Sequence, residues 1–313
     1  MSPRLSSKPI SIVPSHTELK QKSLSQRNLE IAIRALTRDG LVVLEDMVDH
    51  AILDRLNVKM VKDAYELQAR KDSPFNYNKG NIQQDPPLAE EWFSDDIFIN
   101  PIVTQVTSTA LGPKPSLRFV SGNTALPPTE TSPPASQPIH NDADFDHPNI
   151  PFALVVNVPL VTMTPENGST EIWLGTHNGT TIADQEGEHG DRASGRIKKP
   201  MLEARREVRP PSQPVVKKGS IVVRDLRLWH GGKPNLGTEP RVMLAMIHFA
   251  PWYRNSMDVE FSKALADRLT PEKTGLQVVA TYVTDEQLMK NYLNRPYGNA
   301  YDFNQVERIE DVF

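Results

Sequence analysis

Residues 219–232 read GSIVVRDLRLWHGG, which is a turn, a short apolar strand and a loop that ends on His230. Two glycines, Gly231 and Gly232, follow the histidine directly. Because glycine has no side chain, another backbone or a ligand can approach closely at this point. We therefore interpret the stretch as a β-strand that places a histidine at the mouth of a barrel.

The same sequence pattern continues through the second half of the chain, where β-rich runs alternate with Pro- and Gly-rich connections. These runs cover residues 116–120, 153–160, 169–174, 220–223 and 242–249. Many short strands of this kind are typical of a barrel or a jelly roll. Residues 182–214 interrupt the pattern, since they are charged and poor in large apolar side chains. We expect them to form a mobile excursion from the barrel and to be a candidate lid.

Helical patterns precede the strands. Apolar spacing over residues 28–38 predicts a buried helix that ends at Gly40, and residues 41–44 read as a strand. Asp49 is placed to cap a second helix that continues to about residue 67. Residues 1–26 are polar and Ser-rich, and we expect a disordered tail.

These patterns predict a mainly β fold with flanking helices. We expect a double-stranded β-helix core of the jelly-roll or cupin-like type, with an N-terminal helical layer. A single domain over residues 27–313 is expected to consist of a helical segment (27–115), the β core (116–254, including the excursion) and a C-terminal extension (255–313).

Composition excludes several classes of function. The 313 residues are 38% hydrophobic and 24% charged, with a formal charge of −4. This leaves no basic footprint for nucleic acid, and no apolar run is long enough to span a membrane. The chain has no cysteine, so a metal must be held by histidines and carboxylates. With no secretory pattern at the start, we expect a cytoplasmic protein.

The segment QPIHND (137–142) places His140 and Asp142 two residues apart. Alternate residues of a strand face the same side, so both side chains would point into the barrel. With one more histidine they would complete the 2-His-1-carboxylate face that holds non-haem iron. The simpler alternative is chance, because H-x-D occurs in many proteins without a metal.

Seven other histidines are candidates for the third ligand: His16, His50, His147, His177, His189, His230 and His248. The glycine-rich context of His230 favours it, whereas His248 lies in an apolar strand and is expected to be a core residue. His177 is the main competitor.

Arg241 lies eleven residues after His230 and opens the next strand. A guanidinium can hold the far carboxylate of a dicarboxylic co-substrate through two parallel hydrogen bonds. Alternatively, Arg241 is a surface residue that pairs with Glu239.

Taken together, His140-x-Asp142, His230 and Arg241 resemble the phytanoyl-CoA dioxygenase family of Fe(II)/2-oxoglutarate oxygenases. The stretches RDGLVVLEDMV (38–48) and PENGSTEIWLGTHNG (165–179) are also similar to that family, so the resemblance covers residues 33–254. By motif it is closest to the compact members that tailor natural products in fungi.

The resemblance implies that His140, Asp142 and His230 bind Fe(II), and that 2-oxoglutarate and O2 are co-substrates. It also implies that Arg241, Gln137 and Thr170 contact 2-oxoglutarate, and that His177 lies outside the iron shell. Residues 174–177 read LGTH where the family usually has PGSH, which puts the shape of that loop in question. Related halogenases lack the carboxylate, so Asp142 argues against halogenation.

We therefore expect an enzyme that oxidises an unactivated C–H bond of a small organic substrate, a secondary metabolite, by hydroxylation, desaturation or a related reaction. The pocket is expected around residues 75–85, 121–125, 182–214 and 252–253. Two alternatives remain: a cupin-type oxygenase or isomerase that needs no 2-oxoglutarate, and a non-catalytic binding protein. A homodimer is left open as the assembly, and the sequence does not identify the substrate.

Overall fold

The computed structural model describes residues 6–187 and 195–295 of the chain. Its α-helices are α1 (His16–Gln21), α2 (Gln26–Asp39), α3 (His50–Gln68), α4 (Asp95–Phe98), α5 (Pro101–Leu111), α6 (Lys199–Val208), α7 (Pro271–Thr274) and α8 (Asp285–Asn291). Its strands are β1 (Ile10–Ile12), β2 (Leu41–Leu44), β3 (Asn81–Gln84), β4 (Ser116–Ala125), β5 (Ala153–Pro159), β6 (Thr170–Ile172), β7 (Gln185–Glu186), β8 (Arg196–Ile197), β9 (Ile221–Asp225), β10 (His230–Gly232), β11 (Arg241–Phe249), β12 (Val259–Ser262), β13 (Gln277–Val278) and β14 (Ala280–Val283).

The end of α2 and the start of α3 lie at the capping residues that the sequence predicted. Gly40 closes α2 in the left-handed conformation, with φ of 76°, and its N–H donates to the Leu36 carbonyl. A side chain at Gly40 would also collide with the ring of His177, because an added Cβ would lie 2.5 Å from Nδ1. The Asp49 carboxylate accepts a hydrogen bond from the Ala51 N–H at the start of α3. Both helix predictions are confirmed.

The prediction of a disordered tail over residues 1–26 is wrong for residues 6–26, and residues 1–5 lie outside the described residues. Strand β1 pairs in parallel with β2. Helix α1 begins with a capping box between Ser15 and Glu18. The buried Glu18 carboxylate also accepts hydrogen bonds from Ser25 and Asn28. The segment folds because its polar residues bond to α2 and its strand pairs with β2, contacts that its composition does not reveal.

An eight-stranded mixed sheet forms the main layer. Its order is β1-β2-β9-β5-β11-β4-β13, and β3 pairs with the other end of β4. The central strands pair antiparallel, with Val155 opposite Arg224 and Asn157 opposite both Val222 and Ala245. Directly paired residues share a face of the sheet, so this register determines which side chains face inward.

Helices cover the outer face of this main sheet. Strand residues such as Val42, Val156 and Val223 belong to the largest hydrophobic cluster, together with Leu36 of α2 and Leu56 of α3. Helix α2 contacts β2 and β9, α3 contacts β11, and α5 contacts β5. The fold is therefore sheet-rich with flanking helices, as expected.

A second, smaller set of strands faces the inner side of the main sheet. Strands β6 and β10 pair antiparallel, and single bridges extend the set through His140 to Arg196 of β8. A second hydrophobic cluster joins Val43 and Val222 of the main sheet to Ile172 and Leu228. The metal-ligand candidates lie in this second set, and the main sheet forms the opposite wall.

The excursion over residues 182–214 contains regular structure. It includes the antiparallel pair of β7 and β8 and helix α6, while residues 188–194 lie outside the described residues. Just after α6, Arg209 is buried and its guanidinium bonds to the buried Asp39 carboxylate at 2.7 Å. The charged composition predicted a mobile segment, and its mobility stays a prediction, although residues 199–208 form a regular helix whose C-terminal end is held by a buried ion pair.

The C-terminal extension packs on the helical side of the molecule. Strands β12 and β14 pair in parallel, and the Tyr292 hydroxyl donates to the Asp63 carboxylate of α3 at 3.0 Å. Residues 296–313 lie outside the described residues. Among the helices described here, none is long and apolar enough to cross a bilayer.

Candidate metal centre

His140 and His230 lie directly opposite each other on neighbouring antiparallel segments. The His140 N–H donates to the His230 carbonyl at 2.9 Å, and the reverse bond is 3.0 Å. Residues paired in this way point to the same side, and the centroids of the two imidazole rings are 4.4 Å apart. Backbone pairing therefore brings together two histidines that are distant in sequence.

Each imidazole is oriented by its own backbone. The Nδ1 of His140 lies 2.9 Å from the Pro138 carbonyl, and the Nδ1 of His230 lies 2.9 Å from the Leu228 carbonyl. A carbonyl only accepts, so Nδ1 carries the proton in the neutral ring and the lone pair lies on Nε2. This second contact is typical of metal-binding histidines, since it sets both the tautomer and the ring orientation.

Asp142 completes the set from a loop rather than from a strand. The pairing stops at His140, and the Asn141 side chain accepts a hydrogen bond from the Ala143 N–H at 2.8 Å, which turns the chain. Asp142 Oδ1 lies 3.5 Å from His140 Nε2 and 3.7 Å from His230 Nε2. The three ligand atoms are within 4.8 Å of one another. The strand assumed from the sequence ends early, but the two side chains meet as expected.

Electrostatics keep the donor set ready for a cation. Burial alone raises the pKa of Asp142, but the Arg224 guanidinium and the two histidines outweigh burial and hold that pKa well below its usual range. Burial, assisted by the same Arg224 charge, lowers the pKa of His230 well below its usual value. A carboxylate anion and a neutral imidazole are the forms that ligate a metal, so the donor chemistry fits a divalent ion.

The competing histidines take other roles. The Nε2 of His177 lies 3.2 Å from the Thr37 carbonyl, and its ring packs against Gly40. The buried His248 contacts the Thr107 hydroxyl through Nδ1 at 3.0 Å, and burial lowers its pKa to about 4. Neither histidine joins the cluster of His140, Asp142 and His230.

Arg241 is buried at the start of β11, with 2% of its surface exposed. Its guanidinium donates to the Gly168 carbonyl at 3.0 Å and to the Asn123 carbonyl at 3.5 Å, and its Nε has no partner. Within residues 6–187 and 195–295 no carboxylate pairs with it, so the surface pairing with Glu239 is not observed. Burial lowers the pKa of Arg241 to about 10, so the side chain remains a cation near neutral pH.

The other two co-substrate candidates lie beside Gly232. The Gln137 side-chain oxygen accepts from the Gly232 N–H at 2.8 Å, and Thr170 is the register partner of Gly232. In this strand pair His230 lies opposite Ile172, and Gly232 lies opposite Thr170. Residues two positions apart in a strand face the same side, so Thr170 and His230 lie on the same side of the pair. The Gly168 carbonyl bonded by Arg241 is two residues from Thr170, so the three candidates lie around one end of the site.

Arg224 is the residue of this site that sequence reasoning missed. It is the charged residue of the otherwise apolar run 221–224 in β9, and it shares an inward face with Val222. Its guanidinium donates to Asp142 Oδ2 at 2.6 Å and to the Asn157 side-chain oxygen at 3.3 Å. A lone arginine within a buried strand was the available signal, since such a charge needs a partner.

An aromatic side chain covers one of the histidines. The ring of Tyr77 lies 4.9 Å from that of His140, and Tyr77 adopts a positive φ of 62°. Most L-residues avoid this backbone region, and such outliers are often found at binding sites. Tyr77 comes from the loop 75–85, one of the segments expected to form the substrate pocket.

Comparison with known proteins agrees with this geometry. The sequence model of phytanoyl-CoA dioxygenase (PhyH) matches residues 36–243. The chain belongs to the phytanoyl-CoA dioxygenase family. This confirms the resemblance seen in the motifs, and it covers all six candidate site residues.

Solved structures of similar fold include SnoN, an epimerase described as belonging to nogalamycin biosynthesis. AviO1 from Streptomyces viridochromogenes Tue57 superposes with a TM-score of 0.53 at 17% identity, over 74% of this chain and 99% of AviO1. The epimerase SnoN in complex with Fe3+, alpha ketoglutarate and nogalamycin RO gives 0.52 at 18% identity, over 72% and 84%. EvdMO1 gives 0.52 at 19% identity, over 71% of this chain and 50% of its own. At these identities the likeness shows the fold.

Proposed function

We propose that this protein is an Fe(II)/2-oxoglutarate-dependent oxygenase that oxidises a C–H bond of a small organic molecule, a secondary metabolite. Membership of the phytanoyl-CoA dioxygenase family supports an enzyme of this type. The observation that supports it most directly is the pairing of two features in one site. His140, Asp142 and His230 can hold a metal, and the buried Arg241 offers a guanidinium without a carboxylate partner.

We also propose the finer architecture that the sequence predicted. The main sheet and the smaller strand set, which face each other, are the two halves of a double-stranded β-helix. One oxygenase domain then includes residues 27–313 and, because β1 pairs with β2, extends back to about residue 10.

The protein's own residues bind and orient the reactants. His140 and His230 supply neutral Nε2 donors and Asp142 supplies the anionic oxygen, a donor set that suits iron. Iron and 2-oxoglutarate, when bound, supply the oxidising chemistry by activating O2 as 2-oxoglutarate loses CO2. Arg241 pairs with the far carboxylate of 2-oxoglutarate, and the Gln137 amide nitrogen and the Thr170 hydroxyl contact the same molecule.

The inner wall of the site supports an organic substrate. Met243, Ala245 and Asn123 belong to the main sheet and face inward, and each is partly exposed. Polar atoms accompany them, since the Gln83 amide donates to the Ser121 hydroxyl at 3.3 Å. A mostly apolar wall with a few placed polar groups is typical of small-molecule sites.

The identity of the three candidate metal ligands limits which reactions we propose. The presence of Asp142 argues against halogenation, and hydroxylation and desaturation remain the proposed outcomes. SnoN is described as an alpha-ketoglutarate-dependent epimerase, so epimerisation is a third outcome that the same site supports.

Anaerobic addition of Fe(II) and 2-oxoglutarate to the purified protein tests the proposal. We expect a weak visible charge-transfer band that needs both additions. The band should disappear in His140→Ala and in Asp142→Ala while the far-UV circular dichroism spectrum is unchanged. His16→Ala is the matched control, because His16 is an exposed histidine of α1 outside the site.

The rival functions give different results in the same assay. A 2-oxoglutarate-independent oxygenase or isomerase would bind Fe(II) and show no band on addition of 2-oxoglutarate. A non-catalytic binding protein would show no 2-oxoglutarate-dependent band and would release no succinate when O2 and a panel of natural-product scaffolds and acyl thioesters are supplied. Either result would overturn the proposal.

A further inference from the structure

Arg224 is bonded to the carboxylate oxygen of Asp142 that does not face the histidines. Its guanidinium donates to Oδ2 at 2.6 Å, whereas Oδ1 is the atom near both Nε2 atoms. One oxygen of the Asp142 carboxylate therefore contacts Arg224, and the other faces the position that a metal would occupy. This division needs an explanation, because a guanidinium next to a metal site repels the cation that the site must bind.

The main sheet holds Arg224 in this orientation. The Arg224 Nε–H donates to the Asn157 side-chain oxygen, and the Asn157 amide nitrogen donates to the Leu244 carbonyl at 3.2 Å. The side chain of Arg224 is 10% exposed, and its Nη1 is buried without a partner. A chain of bonds therefore runs from β11 through β5 to the carboxylate, and it restrains the rotation of Asp142.

We propose that Arg224 is a positioning residue that keeps Asp142 bound to the metal through one oxygen. This inference rests on the proposed function. Two histidines and one carboxylate oxygen leave three positions of an octahedron, two for a chelating co-substrate and one for O2. If Asp142 bound through both oxygens, it would take one of those three positions. A hydrogen bond to Oδ2 prevents this, in the way that outer contacts orient metal ligands elsewhere.

The positive charge of Arg224 opposes metal binding, so its removal should change the affinities for metal and for 2-oxoglutarate in opposite directions. Arg224 and a divalent ion share one carboxylate, so replacing Arg224 with a neutral residue removes a repulsion worth roughly tenfold in affinity even with the screening of water. The variant should therefore bind the metal more tightly and 2-oxoglutarate more weakly. A residue that only supported the fold would lose both together.

The experiment compares the wild-type protein with Arg224→Met and Arg224→Lys. Co(II) is the metal probe, because its visible ligand-field bands report the coordination number. We expect Arg224→Met to bind Co(II) about tenfold more tightly, with altered bands. In the Fe(II) form we expect its affinity for 2-oxoglutarate to fall at least tenfold. Arg224→Lys should lie between, since an ammonium donates to Oδ2 as a point charge.

Two further variants control for folding and for unrelated effects. Asn157→Leu keeps the Arg224 charge and removes one of its anchors, so the affinity for 2-oxoglutarate should fall by a smaller factor while the affinity for Co(II) changes little. Arg38→Met is the matched control, because Arg38 also donates to an aspartate, Asp39, but is exposed and far along the chain from the site. It should leave both affinities unchanged.

Two results would overturn the inference. One is a parallel loss of Co(II) and 2-oxoglutarate binding in Arg224→Met, and the other is an unchanged Co(II) spectrum with unchanged 2-oxoglutarate affinity. If the wild-type protein bound Co(II) but gave no 2-oxoglutarate-dependent band with Fe(II), the proposed function would fail instead. In that case the Co(II) spectrum of Arg224→Met would still decide how Asp142 coordinates.

Discussion

The pairing of Arg241 with 2-oxoglutarate predicts how a single substitution separates co-substrate binding from iron binding. The guanidinium is 2% exposed, and within the described residues it bonds to two backbone carbonyls and to no carboxylate. A dianion that enters the site therefore meets a desolvated, uncompensated charge. Removing one partner of such a pair costs about 2–5 kcal/mol, which is roughly 30-fold to several-thousand-fold in affinity.

The same loss of affinity determines how much 2-oxoglutarate raises the Tm of each variant. At 100 times its dissociation constant, 2-oxoglutarate stabilises the wild-type protein by about 2.7 kcal/mol. For a chain of this length that corresponds to about 4 °C in Tm. In Arg241→Met, a 30-fold weaker affinity at the same concentration leaves about 0.9 kcal/mol, or roughly 1 °C. Arg241→Lys should recover part of the shift, because lysine keeps the charge but not the two-bond geometry.

Anaerobic titration of the charge-transfer band measures the affinity, and bound iron is the control. We expect iron stoichiometry to be unchanged in Arg241→Met, because Arg241 is not a ligand. We also expect the Tm without 2-oxoglutarate to change little, since relief of a buried charge offsets the loss of its two carbonyl contacts. An unchanged 2-oxoglutarate affinity in Arg241→Met would refute the assignment and leave only the metal site.

Three further predictions concern other residues. His230→Ala should lose bound iron on desalting, whereas His177→Ala should retain it; the reverse result in an iron assay would mean that the wrong histidine was assigned. Arg227→Met should lower the free energy of unfolding by about 3–5 kcal/mol, because the buried Asp225 carboxylate would lose its charged partner and two bonds of 2.8 Å and keep only the backbone N–H of residue 227. Urea unfolding checks this, and a loss below 1 kcal/mol would contradict it. His248 has its folded-state pKa lowered from 6.5 to about 4, so the unfolded state takes up the proton first and stability falls as the pH drops through that window. His248→Gln should remove up to about 3 kcal/mol of this pH dependence, and an unchanged profile between pH 7 and pH 4 would show that His248 does not cause it.

Local chemistry was enough to predict much of the secondary structure. Gly40 and Asp49 mark helix boundaries because each satisfies backbone groups within a few residues of itself. The strand runs were predicted for a similar reason, although β4 continues to Ala125, five residues beyond the predicted end. Short polar stretches within a strand look like turns until the neighbouring strands are known.

The proximity of the three candidate ligands was also predictable from the sequence. The H-x-D spacing limits the direction of two side chains, and a glycine-rich histidine after a strand is an uncommon context. The structure brings His140, Asp142 and His230 within 4.8 Å. It differs in one respect, because an Asn141 turn rather than a continuing strand places Asp142.

Only the tertiary structure decided that residues 6–26 are folded and what Arg224 contacts. Strand β1 finds its partner about thirty residues along the chain, and Arg224 meets Asp142 across 82 positions. A lone arginine in an apolar strand signals that some partner exists, but composition and periodicity describe only a few neighbouring residues and therefore identify neither partner. Whether a charge in a buried strand is tolerated, and what it then does, depends on the group that folding places opposite it.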